Sequence, residues 1–88
     1  MIFIVLWRFK AKPTKEGLTR VAKLMEQTEK GGGRYLGNYW TLGRYDGVSI
    51  VEAKDEKGAM RAILRWGDHV STETLVAVHH EEAAKLVE

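Results

Sequence analysis

Three histidines, His69, His79 and His80, and one turn aspartate, Asp46, carry most of the acid–base chemistry this chain can offer. The sequence contains no cysteine, which excludes thiolate nucleophiles, thiolate metal ligands and disulfides. Histidine titrates near neutrality and acts as a general base when it is well placed, so Asp46 and His69 are the candidate catalytic pair. The other histidines do not extend this to a metal site. His69 and His79 sit at opposite ends of one extended segment, about 33 Å apart at roughly 3.3 Å per residue. His79 and His80 are adjacent and point to opposite sides of an extended chain. Neither a metal centre nor a cofactor is expected. A haem would need a helical histidine facing a cleft, and the sequence has none.

Two glutamates interrupt apolar strand faces: Glu73 in line with Leu75 and Ala77, and Glu52 in line with Val48 and Ile50. A carboxylate in such a place must find a partner or change its pKa. Arg8 is a possible ion-pair partner for Glu73, at a subunit interface or sheet edge. The functional alternative makes Glu73 a polar anchor in a pocket between sheet and helices, flanked by Tyr39, Trp40 or Trp66. Tyr45, over the rim of the sheet, completes the candidate ligand-binding set. Each has a plainer reading as well. Turn aspartates such as Asp46 commonly accept backbone N–H groups, and tryptophans are often core residues.

These residues must be positioned by a small number of elements. Residues 2–10 are bulky or β-branched and read as a strand. Pro13 and the N-cap candidate Thr14 open a helix on which Leu18, Val21, Ala22, Met25 and Thr28 recur at helical spacing. Gly31, Gly32 and Gly33 end it. Because the order is helix, glycines, strand, the triplet is a cap and loop rather than a phosphate loop, which needs the reverse order. Residues 34–42 and 48–53 form a hairpin about a turn bounded by Gly43 and Gly47, both suited to positive φ. Asp55 caps a second helix bearing Ala59, Met60, Ile63, Leu64 and Trp66. Residues 70–79 form the fourth strand and 81–87 a short terminal helix.

The order β-α-β-β-α-β, with right-handed crossovers and hairpin pairing, specifies an α+β, ferredoxin-like antiparallel sheet of strand order 4-1-3-2 with both helices on one face. In that topology the Arg44–Tyr45–Asp46 turn and Asp68–His69 meet at one rim. Asp46 and His69 are then two strand spacings apart, about 10 Å. The first strand is apolar on both sides: Ile2, Ile4 and Leu6 point one way and Phe3, Val5, Trp7 and Phe9 the other. The second adds Tyr35, Tyr39 and Thr41 on one face and Leu36, Trp40 and Leu42 on the other. Two helices cannot cover both faces, and monomers rarely leave such a patch in water. A second copy packed sheet against sheet, an isologous homodimer, is the expected solution.

At 88 residues the chain is one domain, 1–88, with a core too small to be generous. Its 14 basic and 12 acidic residues are interspersed, so there is no basic stripe of the kind that binds nucleic acid. Residues 1–7 are apolar, but Arg8 and Lys10 interrupt them at once, and neither a secretory leader nor a membrane span is expected. A cytoplasmic location follows as the default. Gln27 and Asn38 are the only side-chain amides, which, with many ion-pairing residues, suggests a thermophilic source.

The hairpin residues Gly43, Tyr45 and Asp46 resemble the signature of the GYD family. Val70–Ala77, with its Thr-Glu-Thr-Leu run, resembles that family's final strand, and Gly67 and the Val51-Glu52-Ala53 stretch followed by Asp55 also fit. The resemblance covers residues 36–77; the first half matches in layout more than in residues. Asp68 and His69 depart from it, so His69 is not carried over as a family residue. The resemblance implies a dimeric α+β barrel and specifies no activity. With no nucleophile–base pair or metal set in view, the leading expectation is a homo-oligomeric small-molecule binding or sensing module taking a small organic ligand. The alternatives are a cofactor-independent α+β barrel enzyme of monooxygenase or isomerase type, for which Asn38 and His69 are the candidates, and a purely structural oligomerisation unit.

Overall fold

The first strand holds the architecture together because it is hydrogen-bonded on both edges. In the computed structural model, which describes all residues from Met1 to Glu88, the elements run β1 (Ile2–Phe9), α1 (Lys15–Lys30), β2 (Arg34–Trp40), β3 (Gly47–Glu52), α2 (Glu56–Trp66), β4 (Val70–Ala77) and α3 (His80–Ala84). The four strands form one antiparallel sheet in the order β2-β3-β1-β4. This is the ferredoxin-like order 4-1-3-2 expected from the sequence. β2 and β4 end before the apolar residues Leu42 and Val78, which lie past the last paired positions, and β3 ends at Glu52, although Ala53 still exchanges backbone hydrogen bonds with Met1 at 3.0 and 2.8 Å.

Alternation along the strands defines two faces. Phe3, Val5 and Trp7 are buried with Val51, Ala53 and Val70 toward the helices. Ile2, Ile4 and Leu6, paired across the strands with Ile50, Val48 and Leu75, lie on the opposite face. No helix covers that face, and Leu75 there is 45% and Tyr39 57% exposed.

β2 departs from simple alternation. Its register shifts between Tyr35 and Gly37, so that Tyr35 pairs with Val51, Asn38 with Ser49 and Trp40 with Gly47. The extra residue of a β-bulge reverses the side-chain phase. Tyr35 therefore joins Asn38 and Trp40 on the helix side, instead of following Tyr39 to the outer face as strict alternation requires.

The helices start and stop where side chains satisfy free backbone groups. Thr14 Oγ1 accepts the Gly17 N–H at 3.0 Å, and Asp55 Oδ1 accepts the Gly58 N–H at 2.9 Å. The N–H groups of Gly31, Gly32 and Gly33 donate to Gln27, Glu29 and Thr28 carbonyls, so the triplet spends its donors on capping α1. α2 buries Ala59 and Ala62. Met60 and Leu64, on the neighbouring stripe, are 63% and 79% exposed, a position the apolar periodicity alone assigned to the inner side. α3 buries none of its residues, and Leu86 and Val87 beyond it are exposed. The molecule is accordingly elongated, 50 × 31 × 16 Å. Its one salt bridge, Lys85–Glu82 at 3.8 Å, is exposed, so the many charges form no ion-pair network within the chain. No helix is long and apolar enough to cross a membrane.

Of the two turn glycines, only Gly43 has a positive φ, +107°. Gly47 is required for a different reason: a Cβ at this position would run into the Trp7 indole. Gly47→Ala should therefore overpack the sheet–helix layer at a cost of about 1–3 kcal/mol. Thermal unfolding followed by circular dichroism is expected to show a loss of roughly 10 °C in a domain of this size.

Candidate functional site

A concavity with a volume of about 690 Å³ lies between the helix-facing side of the sheet and the helices. Pockets that hold small organic molecules typically fall between about 300 and 1,000 Å³ and are mostly apolar with a few polar fixing points. This one has that composition. Its floor is β1, β2 and β3 through Val5, Trp7, Phe9, Trp40, Asn38 and Ser49, and its walls are Leu18 and Val21 of α1 and Ile63 and Trp66 of α2. On α2, Ala62 lines the cleft, while Ala59 packs in the core with Phe3 and Ala53. No large side chain in the protein is fully buried.

Aromatic edges line one side. Trp7 and Phe9 stand edge to face at 5.2 Å, Phe9 and Trp40 at 5.1 Å, and Trp7 and Trp40 at 6.4 Å between ring centroids. This geometry is favoured by the ring quadrupoles. Trp40 remains more than half exposed and offers free ring surface. Opposite it, Trp66 Nε1 donates to the Tyr35 hydroxyl at 3.2 Å, a bond made possible by the bulge that turned Tyr35 inward.

The polar part of the floor is a short relay. Trp7 Nε1 donates to Ser49 Oγ at 3.1 Å, and Ser49 Oγ donates to Asn38 Oδ1 at 2.7 Å. The Asn38 amide nitrogen has only the Met25 thioether within reach, at 3.8 Å. Trp7, Phe9 and Ser49 were not among the sequence candidates. The available signal was Ser49, a lone hydroxyl between the apolar residues Val48 and Ile50 on a central strand.

The sequence candidates divide between the two faces. Trp40, Trp66 and His69 line the cleft. His69 is held by its backbone, its N–H donating to Trp66 O at 2.9 Å and its carbonyl accepting from Lys10 N–H at 3.0 Å. Asp46 is not paired with it. Asp46 Oδ2 accepts the Phe9 N–H at 2.8 Å, and its own N–H donates to Trp7 O at 2.9 Å, so this carboxylate fastens the hairpin turn to β1.

Tyr39, Tyr45 and Glu73 belong to the other side. Tyr39 pairs with Val48 and Glu73 with Leu6 in the outer-face register. Glu73 does not form the ion pair with Arg8 that the sequence allowed, nor does it reach the cleft. It accepts a hydrogen bond from the Tyr45 hydroxyl. Arg8 instead lies over the Tyr45 ring, 5.4 Å from its centroid, and Arg44 is 5.8 Å from the same centroid. Arg8 Nε also donates to Arg44 O at 2.5 Å. These contacts clamp the hairpin tip to the sheet. No group of histidine, aspartate and glutamate residues is arranged to hold a metal ion.

The family model described as GYD domain matches residues 3–87. No curated protein matches the chain.

The Tyr45 phenol is held above its ordinary pKa of 10.0, first by its hydrogen bond to the Glu73 carboxylate, then by burial and by the Glu73 charge, with Arg44 and Arg8 pulling the other way. A phenol whose folded pKa is raised contributes stability below its unfolded pKa and loses it as pH rises through the folded value. Tyrosinate absorbance, taken as the difference between wild type and Tyr45→Phe, should therefore place this group's titration above pH 10. In a Glu73→Gln background it should move down. An unchanged titration in Glu73→Gln would show that the carboxylate is not what holds the proton.

Proposed function

The chain belongs to the GYD domain family, and on that premise we propose that it is a homo-oligomeric small-molecule binding or sensing module. The observation that supports this best is the 690 Å³ cleft, with aromatic walls and one polar cluster in its floor. A folded chain of this size gains most of its stability by closing its core. Leaving such a volume between its two layers is costly unless something fills it. The ligand would lie against Trp40 and Trp66 and be oriented by Asn38 from the floor.

The homo-oligomer in this reading rests on the opposite face. Ile4, Leu6, Val48, Ile50 and Leu75 form an apolar surface with no covering element. The exposed residues Val78, Leu86 and Val87 at the end of the chain add to the surface that seeks a partner. A second copy would cover this face without closing the cleft, because the two lie on opposite sides of the sheet.

A catalytic reading draws on one further observation, that His69 and Asn38 line the same cleft. His69 could supply a base there, without Asp46, whose carboxylate is engaged by the Phe9 N–H. In that case His69→Ala would abolish a turnover while leaving ligand affinity intact.

Native mass spectrometry of gently purified protein tests the proposal. The expected result is an oligomer carrying an additional few hundred daltons, lost when the chain is denatured. Trp40→Ala should lower the occupancy of that added mass. A protein that retains no ligand, and takes up none from a panel of flat organic compounds, would contradict the binding role.

A further inference from the structure

The hydrogen-bond directions in the floor of the cleft are fixed, and they restrict what the cleft can take. An indole N–H can only donate. Trp7 Nε1 therefore makes Ser49 Oγ an acceptor, at 3.1 Å. Ser49 is buried, so its own hydroxyl hydrogen must also find a partner. The one acceptor beside it is the Asn38 side chain, at 2.7 Å. The atom of Asn38 that faces Ser49 must then be the carbonyl Oδ1, because the opposite amide orientation would leave a buried hydroxyl hydrogen unpaired. The donor-only indole thus sets the Asn38 amide with its NH₂ group turned away from the strand, where only the weak thioether acceptor Met25 Sδ stands, at 3.8 Å. Asn38 itself lines the cleft. Asn38 is exposed, so the result is an oriented pair of N–H donors, open to water, in the lining of a largely apolar cleft.

Resting on the binding role proposed above, we infer that the ligand is a flat, predominantly apolar molecule that presents an uncharged carbonyl-type oxygen to Asn38. The flat shape follows from the free face of Trp40 beside Phe9 and Trp7. The acceptor follows from the amide orientation. The lack of charge on that oxygen follows from the relay, in which Trp7, Ser49 and Asn38 are all neutral; the cationic residues of the lining, Lys12 and Arg20, lie outside it, so a carboxylate at Asn38 would lose hydration without gaining an ion pair from the relay. An oxygen that meets this pre-oriented donor takes the place of its water, whereas an apolar group there displaces the water without replacing its bond.

Equilibrium dialysis with three probes of one shape provides the test: 2-acetylnaphthalene, its alkene isostere 2-isopropenylnaphthalene, and 2-naphthoate. Wild type is expected to bind the ketone about tenfold more tightly than the alkene, the size of one net hydrogen bond, and to bind the carboxylate no better than the ketone. Asn38→Leu should bring ketone and alkene to equal affinity. The isosteric Asn38→Asp, which keeps an acceptor for Ser49 but replaces the donors, should reverse the order. It also provides the test if Asn38→Leu does not fold. Equal binding of ketone and alkene by wild type, or a ketone preference that survives in Asn38→Asp, would overturn the inference and leave the binding role standing. A preference for naphthoate would overturn its uncharged part. Failure of all three probes to bind would overturn both the inference and the cleft's assignment as a ligand site.

Discussion

A four-stranded sheet whose central strand is apolar on both faces cannot be completed by two helices on one side, and the rest of this structure follows from that constraint. β1 sends Phe3, Val5 and Trp7 toward the helices and Ile2, Ile4 and Leu6 away from them. The inner set nucleates the core clusters with Val51, Ala53, Ala59 and Val70. The outer set meets only its cross-strand neighbours. Because hydrophobic burial is the largest favourable term in folding, this leaves a chain of 88 residues with much of its apolar surface unspent. A second copy, proposed here as its cover, would use it.

The inner face is incomplete in a different way. The helices close only part of the sheet's inner face, and the space that remains is lined by aromatic edges and a neutral polar relay rather than filled. The relay couples packing to recognition. Trp7 is at once a core residue, the neighbour that requires Gly47, and the donor that sets the direction of the Ser49 and Asn38 hydrogen bonds. The hairpin turn is tied in by the Asp46 carboxylate on β1 and by Tyr45 between two arginines. Tyr45 and Asp46, which resemble the family signature, thus tie the β2–β3 turn to β4 and β1.

Most of the architecture was legible in the sequence because it is written in local terms. Thr14 and Asp55 announce their helices, the glycine triplet closes α1, and the two-sided apolar pattern of β1 marks it as central. The strand order then follows from handedness and hairpin pairing. What was not legible depended on non-local geometry. A one-residue bulge at Leu36 is silent in the pattern, yet it moves Tyr35 to the cleft and pairs it with Trp66. Glu73 was placed in line with Leu75 by alternation, but which layer that line faced depended on where the helices lay. Its partner, Tyr45, comes from a turn 28 residues away. Ser49 and Trp7 looked like ordinary strand residues until the register set them beside Asn38.

Sedimentation velocity of wild type alongside Ile4→Lys, over a wide range of protein concentration, addresses the governing constraint most directly. A wild-type boundary at the mass of two chains or a multiple of it, with the variant shifted to a single folded chain, is the expected result. Wild type sedimenting as one 10.0 kDa chain at every concentration would contradict the sheet-against-sheet explanation and require another cover for the outer face.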